Sequence, residues 1–399
     1  MHRFLKRAPR YKGAEISILD QKRSKTYLKH LDRFDLIIKS PGIPFSLPEV
    51  AKAYASGVLC TSATALFFDH AKGLIIGITG TKGKGTTATL LYRMLKRCKK
   101  DAYLAGNIGI PMLDVLPKLR DTSVTVLELS SFQLHHLLFS PRIAVILDIF
   151  PDHLDAHESF QEYVDAKAGI VANQKEHDAV FYVPDNEHAA SLAKKSRGNK
   201  VAIQPEAFTL FQPNDLQIRG AHNYQNAVMA SSVALHLGCD PKMVKQVAKK
   251  YIGLPFRLQL VRAIGSTSFY NDSASTNPIA TAAAIHSFET PTVLIAGGRD
   301  KGFPYNSLKD AARALSLKQV ILVGENAHKL ETVFTTHEAV LVPSLEKAVT
   351  SAWRFVQKKY KKGEQWNIVF SPGAASFDQF KDYRARGQAF NKIVKRLRI

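Results

Sequence analysis

The segment from residue 77 to residue 87 constrains this chain more than any other part of its sequence. It follows an apolar run at 74–76 and precedes a helical pattern over 88–95. A strand, a glycine-rich turn, a lysine, hydroxyl residues and a helix, in this order, form a cradle whose N–H groups and lysine point at phosphate oxygens. Two residues depart from the common G-x-x-x-x-G-K-[ST] pattern, because Ile78 occupies the first glycine position and Gly85 the hydroxyl position. The order of these features predicts an ATP site rather than an ordinary glycine-rich turn.

The composition is that of a globular protein with more than one domain. At 399 residues the chain can form two or three domains, and its hydrophobic content of 45% and charged content of 22% are ordinary. The formal net charge of +21 invites comparison with nucleic-acid-binding proteins. However, the lysine clusters at 96–100 and 358–362 are typical of exposed helix ends, and no basic stripe alternates with aromatic residues. We therefore expect a solvated surface and no nucleic-acid partner.

The cysteine spacing and the apolar runs indicate the expected cellular location of the protein. Cys60, Cys98 and Cys239 have no close spacing, so neither a disulfide framework nor a zinc site is indicated, and the reducing cytoplasm is the expected location. The first residues lack the apolar core of a signal peptide. No apolar run approaches the length needed to span a bilayer, so no membrane insertion is expected.

Strand and helix signals alternate along three regions, at about 1–68, 69–254 and 255–399. Such alternation is typical of α/β domains with parallel sheets. In the first region we predict strands at 15–20 and 34–40.

The first region also lacks an expected beginning. A complete dinucleotide-type domain starts with a strand and a glycine fingerprint, whereas this chain starts in what reads as the first helix. We therefore expect an opening βα unit to be missing, either because the start lies upstream of Met1 or because the domain is shortened.

Polar residues end two strands of the middle region. Glu128 follows an apolar run that begins at residue 124, and His153 follows a run at 143–149. Ligand sites of open α/β sheets lie beyond the carboxyl ends of the strands, so both side chains are expected beside the phosphate loop. A carboxylate and an imidazole near triphosphate oxygens suggest a Mg²⁺ site. Lys167 falls within a helical pattern shortly afterwards.

The C-terminal region repeats this arrangement. Polar clusters end several apolar strands, as expected for one face of a sheet that lines a cleft, and they lie at 271–278, 297–302 and 371–378. Between the two regions, an Ala-rich helical pattern begins near Asn226, which can act as a cap or contact a nucleotide.

Taken together, these motifs resemble the Mur ligase family over about residues 14–399, and particularly its D-glutamate-adding branch. The matching segments follow the family order, and they lie at 80–84, 128–134, 152–155, 222–226, 271–273 and 371–380. The resemblance implies a three-domain α/β architecture with parallel sheets, a truncated N-terminal Rossmann-like domain at 1–68, a P-loop ATP-binding domain at 69–254 and a C-terminal Rossmann-like domain at 255–399.

The resemblance also implies an activity. In this family ATP phosphorylates a substrate carboxylate, and an incoming amino group attacks the acyl phosphate. For this branch the substrates would be UDP-N-acetylmuramoyl-L-alanine and D-glutamate, with ATP and Mg²⁺ as cofactors, and we expect a monomer. Metal ions and lysine would stabilise the charge that accumulates during the reaction.

Individual roles follow from the match. Lys84 would hold the β- and γ-phosphates, Glu128 and His153 would bind Mg²⁺, and Lys167 would act as a carbamate that orients a second metal ion. The residues implied to hold ATP are Gly80, Thr81, Lys82, Gly83, Lys84, Gly85, Thr86, Asn226, Arg257 and Asp272. The residues implied to hold the muramoyl substrate are Asn107 and Ser130. Those implied to receive the amino acid are Thr276, Lys301, Ser376, Phe377 and Tyr383.

Two other functions stay open at this point. A folylpolyglutamate synthase-type ligase shares the Gly-Lys-Gly loop but gives no reason for the motif at 130–133. A non-catalytic nucleotide-binding protein, degenerate after losing its substrate domain, is the second alternative, and the retention of Lys84, Glu128, His153 and Lys167 together argues against it. Ala274 departs from the family motif, which often has lysine at this position.

The hydroxyl that binds Mg²⁺ is a separate prediction. Gly85 has none, so we expect Thr86 to supply it, with Gly85 delaying the helix by one residue because glycine adopts backbone angles closed to other residues. The alternative is a water at this position, which Mg²⁺ accepts readily.

Overall fold

A computed structural model describes residues 1–21, 23–24, 26–43, 47–152 and 157–397. The chain divides into two compact units. Unit 1 comprises Met1–Phe208 and Asn226–Val247, and unit 2 comprises Thr209–Gln225 and Ala248–Ile399. The division into three domains, with boundaries near residues 68 and 254, stays a prediction.

The N-terminal part of unit 1 contains a small parallel sheet of two strands. A core of Leu31, Val50, Ala53 and Val58 packs beside it. The elements are helix α1 His2–Arg7, strand β1 Leu36–Lys39, helix α2 Pro48–Ala55, strand β2 Leu59–Ser62 and helix α3 Ala63–His70, with 3₁₀ turns at Pro9–Tyr11 and Leu31–Arg33. The predicted strand at 15–20 is wrong. That segment has no regular secondary structure, is mostly exposed and pairs with no described strand, so its apolar residues have no sheet to join.

The rest of unit 1 is built on a six-stranded parallel sheet in the order β4-β5-β3-β6-β7-β8. Its strands are β3 Leu74–Thr79, β4 Ala102–Gly106, β5 Val124–Glu128, β6 Ile143–Ile146, β7 Ala179–Tyr182 and β8 Asn199–Ala202. Its helices are α4 Lys84–Arg97, α5 Met112–Val115, α6 Ser131–Leu134, α7 Phe160–Ala168 and α8 Glu187–Lys194, with 3₁₀ turns at Leu116–Lys118 and Pro205–Ala207. Because β3 lies in the interior of the sheet, the loop that follows it is flanked by the ends of β5 and β6.

Two helices follow and have residues in both units, α9 Ala221–His236 and α10 Pro241–Lys250. A 3₁₀ turn at Pro213–Asp215 precedes them.

Unit 2 has a six-stranded sheet in the order β13-β12-β11-β14-β10-β9, in which only the β10–β9 pair is antiparallel among the described pairings. Its strands are β9 Gln259–Ile264, β10 Thr267–Asn271, β11 Thr292–Ala296, β12 Leu317–Val323, β13 Val340–Val342 and β14 Trp366–Phe370. Its helices are α11 Pro278–His286, α12 Asn306–Ala311, α13 Ala327–Glu331, α14 Leu345–Lys359 and α15 Tyr383–Arg396.

Helices cover both faces of this sheet. Alternate residues of β11 belong to different cores: Val293 and Ile295 pack with α14 and α15, whereas Leu294 and Ala296 pack with α11 and α12. The predicted α/β class with parallel sheets is confirmed. No helix in the described part of the chain has both the length and the apolar character required to cross a membrane.

Candidate active site

The loop between β3 and α4 has the backbone of a phosphate cradle. Gly80 has a φ of 146° and Gly83 a φ of 83°, and α4 begins at Lys84. A Cβ atom at Gly83 would lie 2.1 Å from Asn226 Oδ1, so this position requires glycine for space as well as for conformation. The helix N-terminus, with its unpaired N–H groups, follows directly, and this arrangement fits the phosphates of a nucleotide.

Two lysines converge on one carbonyl of this loop. Lys84 Nζ donates to Gly80 O at 2.9 Å and to Thr81 O at 3.0 Å. Lys167 Nζ, from α7, donates to Gly80 O at 3.2 Å, and its side chain is only 1% exposed. Burial, aided by the nearby charge of Lys84 and opposed by Asp152, lowers the pKa of Lys167 to about 6. Lys167 is therefore mainly an uncharged amine at neutral pH.

Tyr163 joins the loop to Lys167, and the sequence reasoning missed it. Its hydroxyl hydrogen-bonds Thr81 Oγ1 at 3.1 Å, and Lys167 Nζ lies 4.2 Å from the centroid of its ring. Thr81 Oγ1 also accepts from Phe150 N at 2.9 Å, beyond the end of β6. The available signal was the four-residue spacing of Tyr163 and Lys167, which places both on one face of α7.

Glu128 lies at the same edge of the sheet as the loop. In the register of β3 and β5 it is opposite Ile78, two residues before Gly80, and it is buried. Its carboxylate is a hard oxygen ligand of the kind that Mg²⁺ prefers. His153 lies outside the described residues. Among the described residues no group of three or more His, Cys, Asp or Glu side chains could hold a metal ion, so the metal site stays a prediction.

The residue at which α4 begins tests how Thr86 is expected to supply a hydroxyl to Mg²⁺. The helix begins at Lys84 and contains Gly85, so the expectation that Gly85 delays the helix is wrong. Gly85 has ordinary helical backbone angles, which residues other than glycine can also adopt. Thr87 Oγ1 donates to Asn226 Oδ1 at 3.3 Å, whereas Thr86 is buried on the same helix. Lys82 is exposed and forms a salt bridge with Asp152 at 3.2 Å.

The motif at 130–133 builds a helix start. Ser130 precedes α6 and forms a capping box with Gln133, because Gln133 N donates to Ser130 Oγ at 3.3 Å and Ser130 N donates to Gln133 Oε1 at 3.0 Å. Asn107 is exposed, and its N–H donates to Glu128 O at 3.1 Å. Asn107 and Ser130 therefore lie at the same strand-end edge as Glu128.

The buried His157 packs against the start of α6. His157 Nε2 is 3.0 Å from Ser131 Oγ, and its ring stacks on Phe132 with centroids 5.0 Å apart. His157 Nδ1 faces Glu162 Oε1 at 3.5 Å. No sequence pattern singled out His157, because its contacts with Ser131 and Phe132 join segments about 25 positions apart.

In unit 2, Asp272 is buried at the end of β10. Its carboxylate accepts from Ser371 Oγ at 2.7 Å and from Leu258 N at 3.0 Å. Burial raises its pKa to about 6, and the hydrogen bonds from Ser275 and Ser371 oppose this effect. The exposed Arg257 precedes Leu258, so the contact of Leu258 with Asp272 brings the two predicted nucleotide-binding residues together.

The residues predicted to receive the amino acid lie on strand-end loops and on the adjoining start of α15. Ser376 is buried, Thr276 and Tyr383 are half-buried, and Lys301 and Phe377 are exposed. The loops after β11 and β14 are joined, because Arg299 N donates to Ala375 O at 2.9 Å. The residues predicted to receive the amino acid thus all belong to unit 2. Those predicted to hold ATP are divided, because the phosphate loop and Asn226 belong to unit 1 whereas Arg257 and Asp272 belong to unit 2.

Comparison with known proteins identifies the family. A sequence model of the Mur ligase middle domain matches residues 78–234. The UDP-N-acetylmuramoylalanine–D-glutamate ligase of Acetivibrio thermocellus is 35% identical over 92% of this chain and 84% of its own length. The protein of the same name from Clostridioides difficile is 32% identical over 96% of this chain and 90% of its own.

Solved structures share the fold at lower identity. MurF from Acinetobacter baumannii has a TM-score of 0.61 at 17% identity over 90% of both chains. The folylpolyglutamate synthase of Mycobacterium tuberculosis, solved with ADP and AMPPCP, has a TM-score of 0.60 at 14% identity, over 83% of this chain and 94% of its own. These likenesses concern the fold alone. The relatives above 30% identity span most of both chains, and on that evidence this chain belongs to the Mur ligase family.

Proposed function

We propose that this chain is an ATP-dependent ligase that joins D-glutamate to UDP-N-acetylmuramoyl-L-alanine in peptidoglycan precursor synthesis in the cytoplasm. The observation that carries the proposal is the convergence of Lys84 and Lys167 on the Gly80 carbonyl, at the loop beside Glu128. The names of the similar proteins from Acetivibrio thermocellus and Clostridioides difficile support the choice of substrates.

The phosphate loop would bind ATP. The N–H groups at the start of α4 and the positive charge of Lys84 would face the phosphate oxygens. Transfer of the γ-phosphoryl group to the carboxylate of the muramoyl substrate gives an acyl phosphate and ADP. The D-glutamate amine then attacks the acyl carbon, the amide C–N bond forms, phosphate leaves and the amine loses a proton.

Lys167 would serve as a carbamate. Its uncharged amine can attack the carbon of CO₂, so that an N–C bond forms, one proton is released and an anion replaces the amine. A Mg²⁺ site would take its oxygen and nitrogen ligands from Glu128, His153, Thr86 and this carbamate. Mg²⁺ would neutralise charge on the transferring phosphoryl group.

Ser130 and Asn107 would hold the muramoyl substrate at the edge where Glu128 ends its strand. In unit 2, Asp272, Arg257 and the strand-end loops would hold the nucleotide and the amino acid. Asp272 and Ser376 are both buried at the bases of these loops.

The test is phosphate release from ATP with each substrate omitted in turn. Release should require Mg²⁺, UDP-N-acetylmuramoyl-L-alanine and D-glutamate together, and L-glutamate should not replace D-glutamate. Lys84→Ala should lower turnover by about 10²-fold or more, the scale for one lost charge-stabilising group. Lys96→Ala, which removes an exposed lysine from the same helix, is the matched control. If omitting either substrate leaves the rate of phosphate release unchanged, the protein is a simple nucleotide hydrolase and not a ligase.

A further inference from the structure

The guanidinium group of Arg386, in helix α15, connects two strand-end loops of unit 2. The side chain is 3% exposed. Its Nε donates to Ser273 Oγ at 3.1 Å and its Nη2 to Ser273 O at 3.0 Å, just after β10. Nη2 also donates to Ala374 O, and Nη1 to Ala375 O, both at 3.0 Å, just after β14. One rigid planar group therefore fixes the spacing of these two loops.

A third loop joins through the same carbonyl. Ala375 O accepts from Arg299 N at 2.9 Å as well as from Arg386, and Ala375 N donates to Arg299 O at 3.2 Å. Gly298 packs against the group so closely that a Cβ atom there would lie 2.9 Å from Arg386 Nη1. Arg386 thus lies where the loops after β10, β11 and β14 meet.

The acceptors of Arg386 carry no formal charge. In the described part of the chain no carboxylate forms an ion pair with it, although Asp378 acts on it from further away. Burial lowers the pKa of Arg386 to about 10, so the group is still protonated at neutral pH. A buried positive charge that its hydrogen-bond partners do not neutralise favours a bound anion nearby.

We propose that Arg386 is a positioning residue for the amino-acid substrate. It holds the loops that carry Thr276, Lys301 and Ser376 at a fixed spacing, and its charge favours an amino acid with a second carboxylate. Four of its five N–H donors bond to the protein itself, so it acts through these loops rather than by touching the reacting atoms. The proposal deepens the proposed function and rests on it for the identity of the amino acid.

The first experiment requires no substrate. Hydrogen–deuterium exchange would be followed in wild type, Arg386→Gln, Arg386→Lys and the control Lys392→Gln, which removes an exposed charge from the same helix. We expect the Arg299 and Ala375 amides of Arg386→Gln to exchange about ten times faster, while strand β12 stays protected. Arg386→Lys keeps the charge but not the planar fork, and should be intermediate.

The second experiment measures the consequence for the substrate. The KM for D-glutamate should rise about tenfold or more in Arg386→Gln, whereas the KM for UDP-N-acetylmuramoyl-L-alanine stays unchanged. A fold defect alone would lower the active fraction without this selectivity. Unchanged exchange in the three loops overturns the proposal, and so does loosening of the loops with an unaltered KM for D-glutamate. If wild type shows no D-glutamate-dependent turnover, the proposed function fails, and the exchange result alone then decides whether Arg386 positions these loops.

Discussion

The Nζ atom of Lys167 lies 4.2 Å from the centroid of the Tyr163 ring, in a side chain that is 1% exposed. An ammonium group would gain from the aromatic face, yet burial and the charge of Lys84 favour the neutral amine more strongly. The fold therefore keeps a lysine in its nucleophilic form at neutral pH. This cost to stability makes sense if the amine is needed for chemistry.

The buried amine should make stability depend on pH. The pKa of Lys167 is about 6 in the folded state against an ordinary value of 10.5, so between these values the unfolded chain binds more protons. The free energy of unfolding then rises with pH in this window, by up to about 1.4 kcal/mol per pH unit from this residue. Lys167→Met should be more stable than wild type at neutral pH, and its advantage should shrink towards pH 10.5. Urea unfolding of both proteins in CO₂-free buffer across the window measures this; a constant difference would contradict it.

Loss of the Lys167 side chain should abolish activity without unfolding the protein. Lys167→Ala removes the group that would carry the carbamate, so we expect turnover to fall by about 10²-fold or more. Short carboxylates such as acetate should partly restore it, because they can supply the missing anion in the cavity. Circular dichroism verifies the fold, and a fully active Lys167→Ala would exclude the carbamate.

Tyr163→Phe should weaken ATP binding selectively. The change keeps the ring beside Lys167 but removes the hydrogen bond to Thr81, which is worth about 1 kcal/mol. We expect the KM for ATP to rise about fivefold, because the phosphate loop loses one of its supports. Tyr103→Phe is the matched control, since its hydroxyl bonds Lys118 O elsewhere in unit 1. Equal effects of the two changes would show that the Thr81 contact has no special role.

Gln133→Ala should weaken the binding of the muramoyl substrate rather than the binding of ATP. Without the Gln133 side chain, Ser130 loses the partner of its N–H and of its hydroxyl. The loss of a cap costs about 1 kcal/mol, and we expect the KM for UDP-N-acetylmuramoyl-L-alanine to rise about fivefold with the KM for ATP unchanged. Gln246→Ala, at an exposed glutamine that accepts from Arg97, serves as the control. A change in the KM for ATP alone would argue against a substrate role for Ser130.

The parallel sheets and the phosphate loop could be predicted from local patterns. Their signals, the apolar runs and the Gly83-Lys84 pair, are formed by residues that are neighbours in the sequence. The same reasoning failed at 15–20, where an apolar run has no described strand to pair with. It also missed Tyr163 and Arg386. Arg386 reaches Ser273 across 113 positions of sequence, so its role exists only once the chain is folded.

Thr86 should be the hydroxyl that binds Mg²⁺. Gly85 has no side chain, and the Thr87 hydroxyl donates to Asn226, so Thr86 offers the first hydroxyl on α4 that is not committed to that contact. Thr86→Val keeps the shape and removes the hydroxyl. We expect the Mg²⁺ concentration for half-maximal activity to rise about tenfold, the effect of losing one hydrogen-bonded or charge-stabilised contact. Thr89→Val, one turn further along the same helix, controls for the loss of a buried hydroxyl. A helix that begins at Lys84 turns residue 86 about 100° away from residue 85, so the Thr86 hydroxyl would have to approach Mg²⁺ from a different side than a hydroxyl at residue 85. An unchanged Mg²⁺ requirement in Thr86→Val would assign the position to water.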